Sequence, residues 1–435
     1  VEIVAIILFL LIFILILLGY PVAFTLAGIS ILVGYFFVPD FFDLLPMRFK
    51  GVMENYVLLA VPLFIYMGLM LEKSGLAESL LETMAGLFGK MKGGLAISVI
   101  VVGALLAAST GIVGATVVTM GLISLPTMLK RNYSPEIATG TIASSGTLGQ
   151  IIPPSVVLVL LGSVLNVSVG DLFAAALLPG VLLVLCYIAY IIILSKIKPE
   201  QVPAMPIEEI RAFRSAGFVN RLIKAFVLPM LLIIAVLGSI FSGIASPTEA
   251  AAVGALGASL LTIIQGKMKF SVLKKVMEET SYLTTMVFLI LLGATTFTLV
   301  FRGLGGDRFL IEMIQEANLS ASMFLLLVMI VVFVAGFFID FIEIVFIIVP
   351  VVAPIFVAMD VNLIWIGILL ALNLQTSFLT PPFGFSLFYL KGVAPSVTTG
   401  QLYRGVIPFV LIQLVFLFLV ICFPEIIFWV GDIIK

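Results

Sequence analysis

Apolar residues run along this chain in long unbroken blocks of helical length, and polar positions are confined to the gaps and to a few interruptions inside the blocks. A helix rising about 1.5 Å per residue needs roughly 20 such residues to cross a hydrocarbon core of about 30 Å. The pattern predicts spanning helices over 2–18, 21–38, 56–72, 135–166, 172–195, 222–241, 247–264, 282–301, 361–393 and 405–424. Two of them, 135–166 and 361–393, are broken by the double prolines Pro153-Pro154 and Pro381-Pro382. Two more apolar stretches, 93–129 and 321–357, are too long for one span and have polar or glycine-rich middles. They read as re-entrant hairpins, whose irregular tips are tolerated at membrane depth only when buried in protein or lining a wet cavity.

The interruptions recur. Pro153 and Pro381 lie 228 residues apart, Pro21 and Pro247 lie 226, Gly140 and Gly367 lie 227, and Pro179 and Pro408 lie 229. A near-constant offset along the chain means one unit written twice, with a first repeat over 1–195, a polar linker over 196–221 and a second repeat over 222–435. The linker holds Pro199, Pro203 and Pro206 and is expected to carry a short helix from Ile207 to about Ala216. If both hairpins return to their starting side, each repeat has five crossings, one of them broken, and the odd number inverts the second copy. Under that topology one face receives only Arg48, Lys50, Arg302, Arg308 and Lys435, while the rest of the 22 basic residues fall on the other. The positive-inside rule then makes the richer face cytoplasmic and puts both termini outside.

Composition agrees with a membrane solvent. Hydrophobic residues make up 63% and charged residues 10%, with a mean hydropathy of +1.34. A soluble domain carries about 25% charged residues. Nothing in the net charge of −1 points to nucleic acid. The absence of histidine removes the commonest metal ligand and general base. Cys186 and Cys422 sit in apolar helices and read as packing residues. Residues 1–18 lack a basic start and a small-residue cleavage site, so they read as a retained helix. Leucines and Met84 over 75–90 share one helical face, as expected of an interfacial helix, with a counterpart over 304–317.

Four segments combine unwound backbone with polar side chains. In the first repeat they are the tip Ser109–Gly114 and the break Ser144–Pro154. In the second they are the tip Gly336–Glu343 and the break Asn373–Pro382. Proline cannot donate to the fourth residue back, so each pair frees carbonyls near Gly149-Gln150 and Ser377-Phe378. Carbonyls and hydroxyls are hard oxygen ligands suited to Na⁺, and half-helix N-termini suit a carboxylate. Broken helices at matching places in two halves mark the binding site of a transporter. Any one Ser or Thr can instead bond back to its own helix. Acidic residues in an apolar stretch default to function, which singles out Asp340 and, beside it, Glu343. Ser246-Pro247-Thr248-Glu249 has the spacing of a helix capping box. No basic residue falls inside a core segment; the nearest, Arg302, ends a helix on the sparsely basic face.

Ala108 to Thr116, the run SPEIATGTIASSGTLGQIIPPS over 134–155, PTEAAA over 247–252 and the Thr380-Pro381-Pro382 break resemble the large membrane subunit of tripartite ATP-independent periplasmic (TRAP) transporters. The resemblance covers essentially the whole chain. It implies an elevator-type transporter fold in a bacterial or archaeal inner membrane, importing small organic acids with Na⁺. It also implies a small four-helix membrane subunit and a periplasmic substrate-binding protein as partners. One Na⁺ site would draw on Ser109, Gly111, Gly146, Thr147 and Gln150, and a second on Gly336, Asp340, Thr376, Ser377 and Thr380. Substrate would lie between the tips, with Thr110, Gly114, Ser145, Asn373 and Gln375 as candidates. The alternatives are an independent ion-coupled anion carrier of the dicarboxylate/Na⁺ or arsenite type, and an intramembrane enzyme, which would need an Asp pair, for which Asp340 has no partner Asp within an apolar segment.

Overall fold

The computed structural model describes residues 2–110, 113–213, 217–382 and 384–434, and these residues contain helices and turns but no strand. Among the described residues, seven helices are long and apolar enough to cross a membrane, eight if the bent pair Phe341–Ile347 and Val349–Ala358 counts as one span. Val113–Lys130 is among the seven. It packs on Gly94–Thr110 and is expected from the sequence to be the return arm of the first hairpin; its length and apolarity alone are also those of a span.

Helix starts follow the chain's caps, and the caps repeat. Ser134 accepts from Ile137 N–H before Pro135–Thr147, and Asn362, 228 residues on, accepts from Ile364 N–H before Leu363–Leu379. Ser168 caps Val169–Ile197 and Thr398, with Gln401, closes a capping box on Thr399–Cys422. Each cap satisfies an N–H that the first turn would otherwise leave without a partner. Ser246 and Glu249 form the expected reciprocal box.

Two groups of helices result. The inner group holds the hairpins, both broken helices, Val169–Ile197 and Thr399–Cys422; the outer group holds Glu2–Leu17, Val22–Phe37, Ala60–Lys73, Leu228–Phe241, Pro247–Ile264 and Phe270–Gly303. Within the inner group the repeats interlock. The second half of each break packs on the return arm of the other repeat's hairpin: Val156–Leu165 on Phe341–Ile347 and Val349–Ala358, and Phe385–Val393 on Val113–Lys130. Glycines permit the closest approach, since a Cβ on Gly140 would collide with the Gly405 carbonyl and one on Gly405 with the Glu136 carbonyl.

Two expectations change, and two stretches that the sequence pattern left unassigned prove helical. The span at 282–301 begins at Phe270 and runs 34 residues, about 50 Å at the helical rise. Its first turns are charged yet helical because Lys274–Glu278 and Lys275–Glu279 pair one turn apart. The stretch after residue 38 is ordered as Pro39–Leu44 and Leu45–Met53, and Glu425–Ile434 is helical. The expected linker helix is present over Ile207–Phe213, and the remainder of its expected range, 214–216, lies outside the described residues. Cys186 and Cys422 are free thiols on exposed helix surfaces, not packing residues. The amphipathic helix Leu76–Phe88 does bury Leu76, Leu80, Leu81 and Met84 and exposes Glu78 and Glu82.

Candidate functional site

Each break is built from hydroxyls bonded back to carbonyls. In the first, Ser144 bonds to Gly140 O, Ser145 Oγ donates to Ile142 O (3.1 Å) and Thr147 Oγ1 to Ser144 O (2.9 Å). In the second, Thr376 Oγ1 donates to Leu372 O and Thr380 Oγ1 to Thr376 O, both at 2.8 Å. A hydroxyl used as a donor keeps its oxygen lone pairs. The carbonyls freed by the prolines are partly engaged. Ser155 Oγ reaches Gly149 O (2.7 Å) and Gln150 O (3.3 Å), and Ser386 Oγ reaches Phe378 O (2.8 Å). These two serines follow their prolines, where attention to the residues before the break misses them.

The hairpin arms lock onto the breaks through small residues. A Cβ on Gly149 would lie 2.5 Å from Ala107 O, and one on Gly103 would lie 2.5 Å from Ser145 Oγ. Gly146 faces Val117 of the return arm. In the second repeat Gly336 lies against Ser377, whose hydroxyl donates to Phe333 O (2.6 Å), and Asn373 Nδ2 donates to Met329 O (2.8 Å). Gln150 is fully buried with neither amide atom partnered among the described residues. Gln375 lies beside the buried Tyr187–Gln413 pair without a hydrogen bond of normal geometry. Tyr187 and Gln413 lie on corresponding helices of the two repeats, but the local offset of 229 aligns Tyr187 with Phe416, so nothing in the sequence singles this pair out.

The two tips converge on a cavity of about 580 Å³. Val113 and Gly114 line it from the first hairpin, Asp340 and Phe341 from the second, and Phe378 and Tyr389 from the second break. Gly114 is needed here, because a Cβ would stand 2.9 Å from the Tyr389 ring. Leu69, Glu278, Glu279 and Tyr282 close it from the outer group. Asp340 also caps Phe341–Ile347: its Oδ1 accepts from Phe341 N–H at 2.7 Å, and Glu343 Oε2 accepts from Asp340 N–H at 3.3 Å. Asp340 thus has a structural duty as well as a place in the cavity, and Glu343 supports it. Of the substrate candidates Gly114 lines the cavity, whereas Ser145, Asn373 and Gln375 do not line it. The side chains of Ser109 and Thr110, and all of Gly111, fall outside the described residues. The aromatic wall of Phe378, Phe385 and Tyr389 carries no polar signature and went unread in the sequence.

Beside the cavity, the buried carboxylate of Glu72 on Ala60–Lys73 accepts from Thr119 Oγ1 of the first hairpin at 2.7 Å. Lys73 bridges it to Glu279 at 3.2 and 3.3 Å. The Thr119–Glu72 bond is a polar link between the inner and outer groups, with the Glu72 carboxylate itself buried.

The family model described as "Tripartite ATP-independent periplasmic transporter, DctM component" matches residues 9–426, a span that takes in both hairpins and both breaks. The chain belongs to that family. It is 33% identical over 391 residues to a C4-dicarboxylate TRAP transporter large permease protein of Pseudomonas aeruginosa, covering 90% of each. A sialic acid TRAP large permease of Vibrio cholerae is 29% identical, with 94% and 93% covered. An ectoine TRAP large permease of Halomonas elongata is 28% identical, with 96% and 97% covered. Among solved structures, the YdaH transporter of Alcanivorax borkumensis superposes at a TM-score of 0.64 with 15% identity over 98% of both chains. MtrF of Neisseria gonorrhoeae superposes at 0.57 with 14% identity over 96% and 94%. These last two speak to fold alone. This DctM-family chain is accordingly a multi-pass inner-membrane transport subunit and not an enzyme.

Proposed function

We propose that the chain is the transport subunit of a TRAP system that imports a small organic acid with Na⁺. The observation that carries this reading is convergence: two hairpin tips and the second break meet at one cavity of about 580 Å³, inside a family of binding-protein-dependent transporters. The inner group would move as the carrier against the outer group, in an elevator cycle, with the acid held between the tips. The small four-helix membrane subunit would join the outer group, and a periplasmic binding protein would deliver the acid. The basic-residue partition supports a cytoplasmic face at Lys274 and Lys275, and hence a cavity that opens inward past Glu278 and Glu279.

The residues present fit a hard monovalent cation. Gln150 offers a buried amide oxygen with no donor, and the break hydroxyls donate to carbonyls while keeping their lone pairs. Gly146, Thr147 and Gln150, with the first tip, would hold one Na⁺; Gly336, Asp340, Thr376, Ser377 and Thr380 would hold a second. Bound Na⁺ would supply positive charge beside the acid and fix the tips around it.

The relatives named for dicarboxylate, sialic acid and ectoine all carry a carboxylate on their named substrate, which supports that class here. The test is reconstitution with the small subunit and the binding protein, using the ligand that co-purifies with the latter. Uptake should require external Na⁺. Equal uptake with K⁺ would reject the coupling, and full uptake without the binding protein would favour an independent anion carrier.

A further inference from the structure

A second, larger cleft of about 950 Å³ lies between the two helix groups at the other face of the protein. Arg48 and Arg302 line it, with Asn55, Ser163, Asn166 and Thr298. Asn55 Nδ2 donates to Ser163 Oγ at 3.3 Å across its floor, from the outer group to the first broken helix. Arg302 Nε is bound by Asp307 Oδ2 at 3.0 Å, and its side chain remains 47% exposed. Arg48 has no ion-pair partner among the described residues.

The two cavities stand in a relation that the duplicated sequence dictates. At an offset of 226, the cavity-lining stretch 278–283 of the second repeat corresponds to 52–57 of the first, and 291–302 corresponds to 65–76. The tip cavity is walled by 278–283 of the second copy and by Leu69 of the first. The opposite cleft is walled by Val52, Asn55 and Leu58 of the first copy and by 291–302 of the second. The two faces therefore use the same positions with the copies exchanged, as alternate access through a duplicated carrier requires.

The charged side chains that line them differ in sign, although Glu278 and Glu279 are paired with Lys73, Lys274 and Lys275 just outside the tip cavity, whereas Arg48 carries an unpaired charge among the described residues. The lining of the tip cavity includes Asp340, Glu278 and Glu279 and no Lys or Arg; that of the cleft includes two arginines and no Asp or Glu. Clefts lined by one sign of charge concentrate the opposite ion and raise its encounter rate by about 10- to 1,000-fold. We propose that this cleft is a carboxylate-capture station on the periplasmic face, with Arg48 and Arg302 as positioning residues that receive the acid before it enters the site between the tips. The station rests on the transport reading and on the basic-residue partition that puts Arg48 and Arg302 outside.

The test needs no knowledge of the natural acid. In the complete transporter carrying Cys186→Ala and Cys422→Ala, a Thr298→Cys reporter is exposed from outside to a sulfonate-bearing or a trimethylammonium-bearing methanethiosulfonate reagent. Normalised to a free thiol, the anionic reagent should react about tenfold faster, and excess acetate should slow it. Arg48→Gln with Arg302→Gln should abolish the preference, and Arg48→Lys with Arg302→Lys should restore it. No anionic preference, a preference indifferent to the arginines, or a reporter unreachable from outside would each overturn the station. Uptake separates the two readings: loss of the station raises KM while leaving kcat and Na⁺ dependence in place, whereas uptake indifferent to Na⁺ in the unaltered transporter would refute the coupling alone.

Discussion

Gly149→Ala tests whether the hairpin arm and the break form one rigid ion-binding unit. The added Cβ would stand 2.5 Å from Ala107 O, 2.9 Å from Ala107 C and 3.1 Å from Ala107 Cα, all backbone atoms that cannot rotate away. Ordinary contact begins near 3.4 Å, so the arm must retreat by about 0.9 Å, and packed interiors resist such shifts. Overpacking of this kind costs about 1–3 kcal/mol, and ion-ligand distances tolerate only about 0.2 Å. If the strain falls on the ion-bound state, Na⁺ affinity should drop by about 5- to 150-fold, the equivalent of that energy. The assay is thermal unfolding of the purified chain across a Na⁺ titration at constant ionic strength, because a ligand of the folded state stabilises by RT ln(1 + [L]/Kd). Gly28→Ala is the control, since nothing lies within 4 Å of its added carbon and a helical Gly→Ala change is worth about 0.5–1 kcal/mol in favour of folding. A monodisperse Gly149→Ala protein with an unaltered Na⁺ titration would refute the reasoning.

Three further outcomes are expected. Thr147→Val and Thr380→Val each remove a hydroxyl that donates to Ser144 O or Thr376 O; each should weaken the Na⁺ response by about 1 kcal/mol, and a wild-type response in both would leave these hydroxyls as helix-internal bonds. Ser155→Ala and Ser386→Ala uncover buried carbonyls at Gly149 and Phe378 and should lower thermal stability by about 1–3 kcal/mol, read as a fall in Tm. Thr119→Val removes the bond to buried Glu72, so the inner group should leave the present position more readily; cross-linking between Ala60–Lys73 and the first hairpin should fall, and an unchanged yield would deny the bond that role.

Much of this architecture was legible because membrane solvent makes the sequence speak in lengths. The apolar blocks, the two proline breaks and the interruption at Gly336–Glu343 correspond to helices and irregular segments at the expected places, while the first tip lies partly outside the described residues. The long helix Phe270–Gly303 escaped in part because a charged helical turn and a charged loop have similar composition; only the i,i+4 pairing of Lys274–Glu278 and Lys275–Glu279 distinguishes them. The cavity wall escaped for a different reason. Phe378, Phe385 and Tyr389 are as apolar as the lipid-facing residues around them, so nothing in their identity tells a binding surface from a hydrocarbon contact. Glu278 and Glu279 belonged to the unrecognised first turns of that helix, and they enter the site only because the helix folds them against it.

The duplication shows most clearly what residue identity can and cannot convey. At the contact between arm and break, the first repeat places alanine on the arm and glycine on the break, Ala107 against Gly149. The second repeat places glycine on the arm and serine on the break, Gly336 against Ser377, and turns the contact into a hydrogen bond to Phe333 O. Read one position at a time, the copies disagree at both places. Read as a pair, they obey one constraint, that the two side chains together leave room for the backbones to approach closely. A contact satisfied jointly is selected on the sum of two residues, and such constraints stay hidden until the structure says which positions face each other. Tyr187 and Gln413, on corresponding helices of the two repeats but not at equivalent positions, likewise meet in the buried interior, a pairing that only the structure reveals.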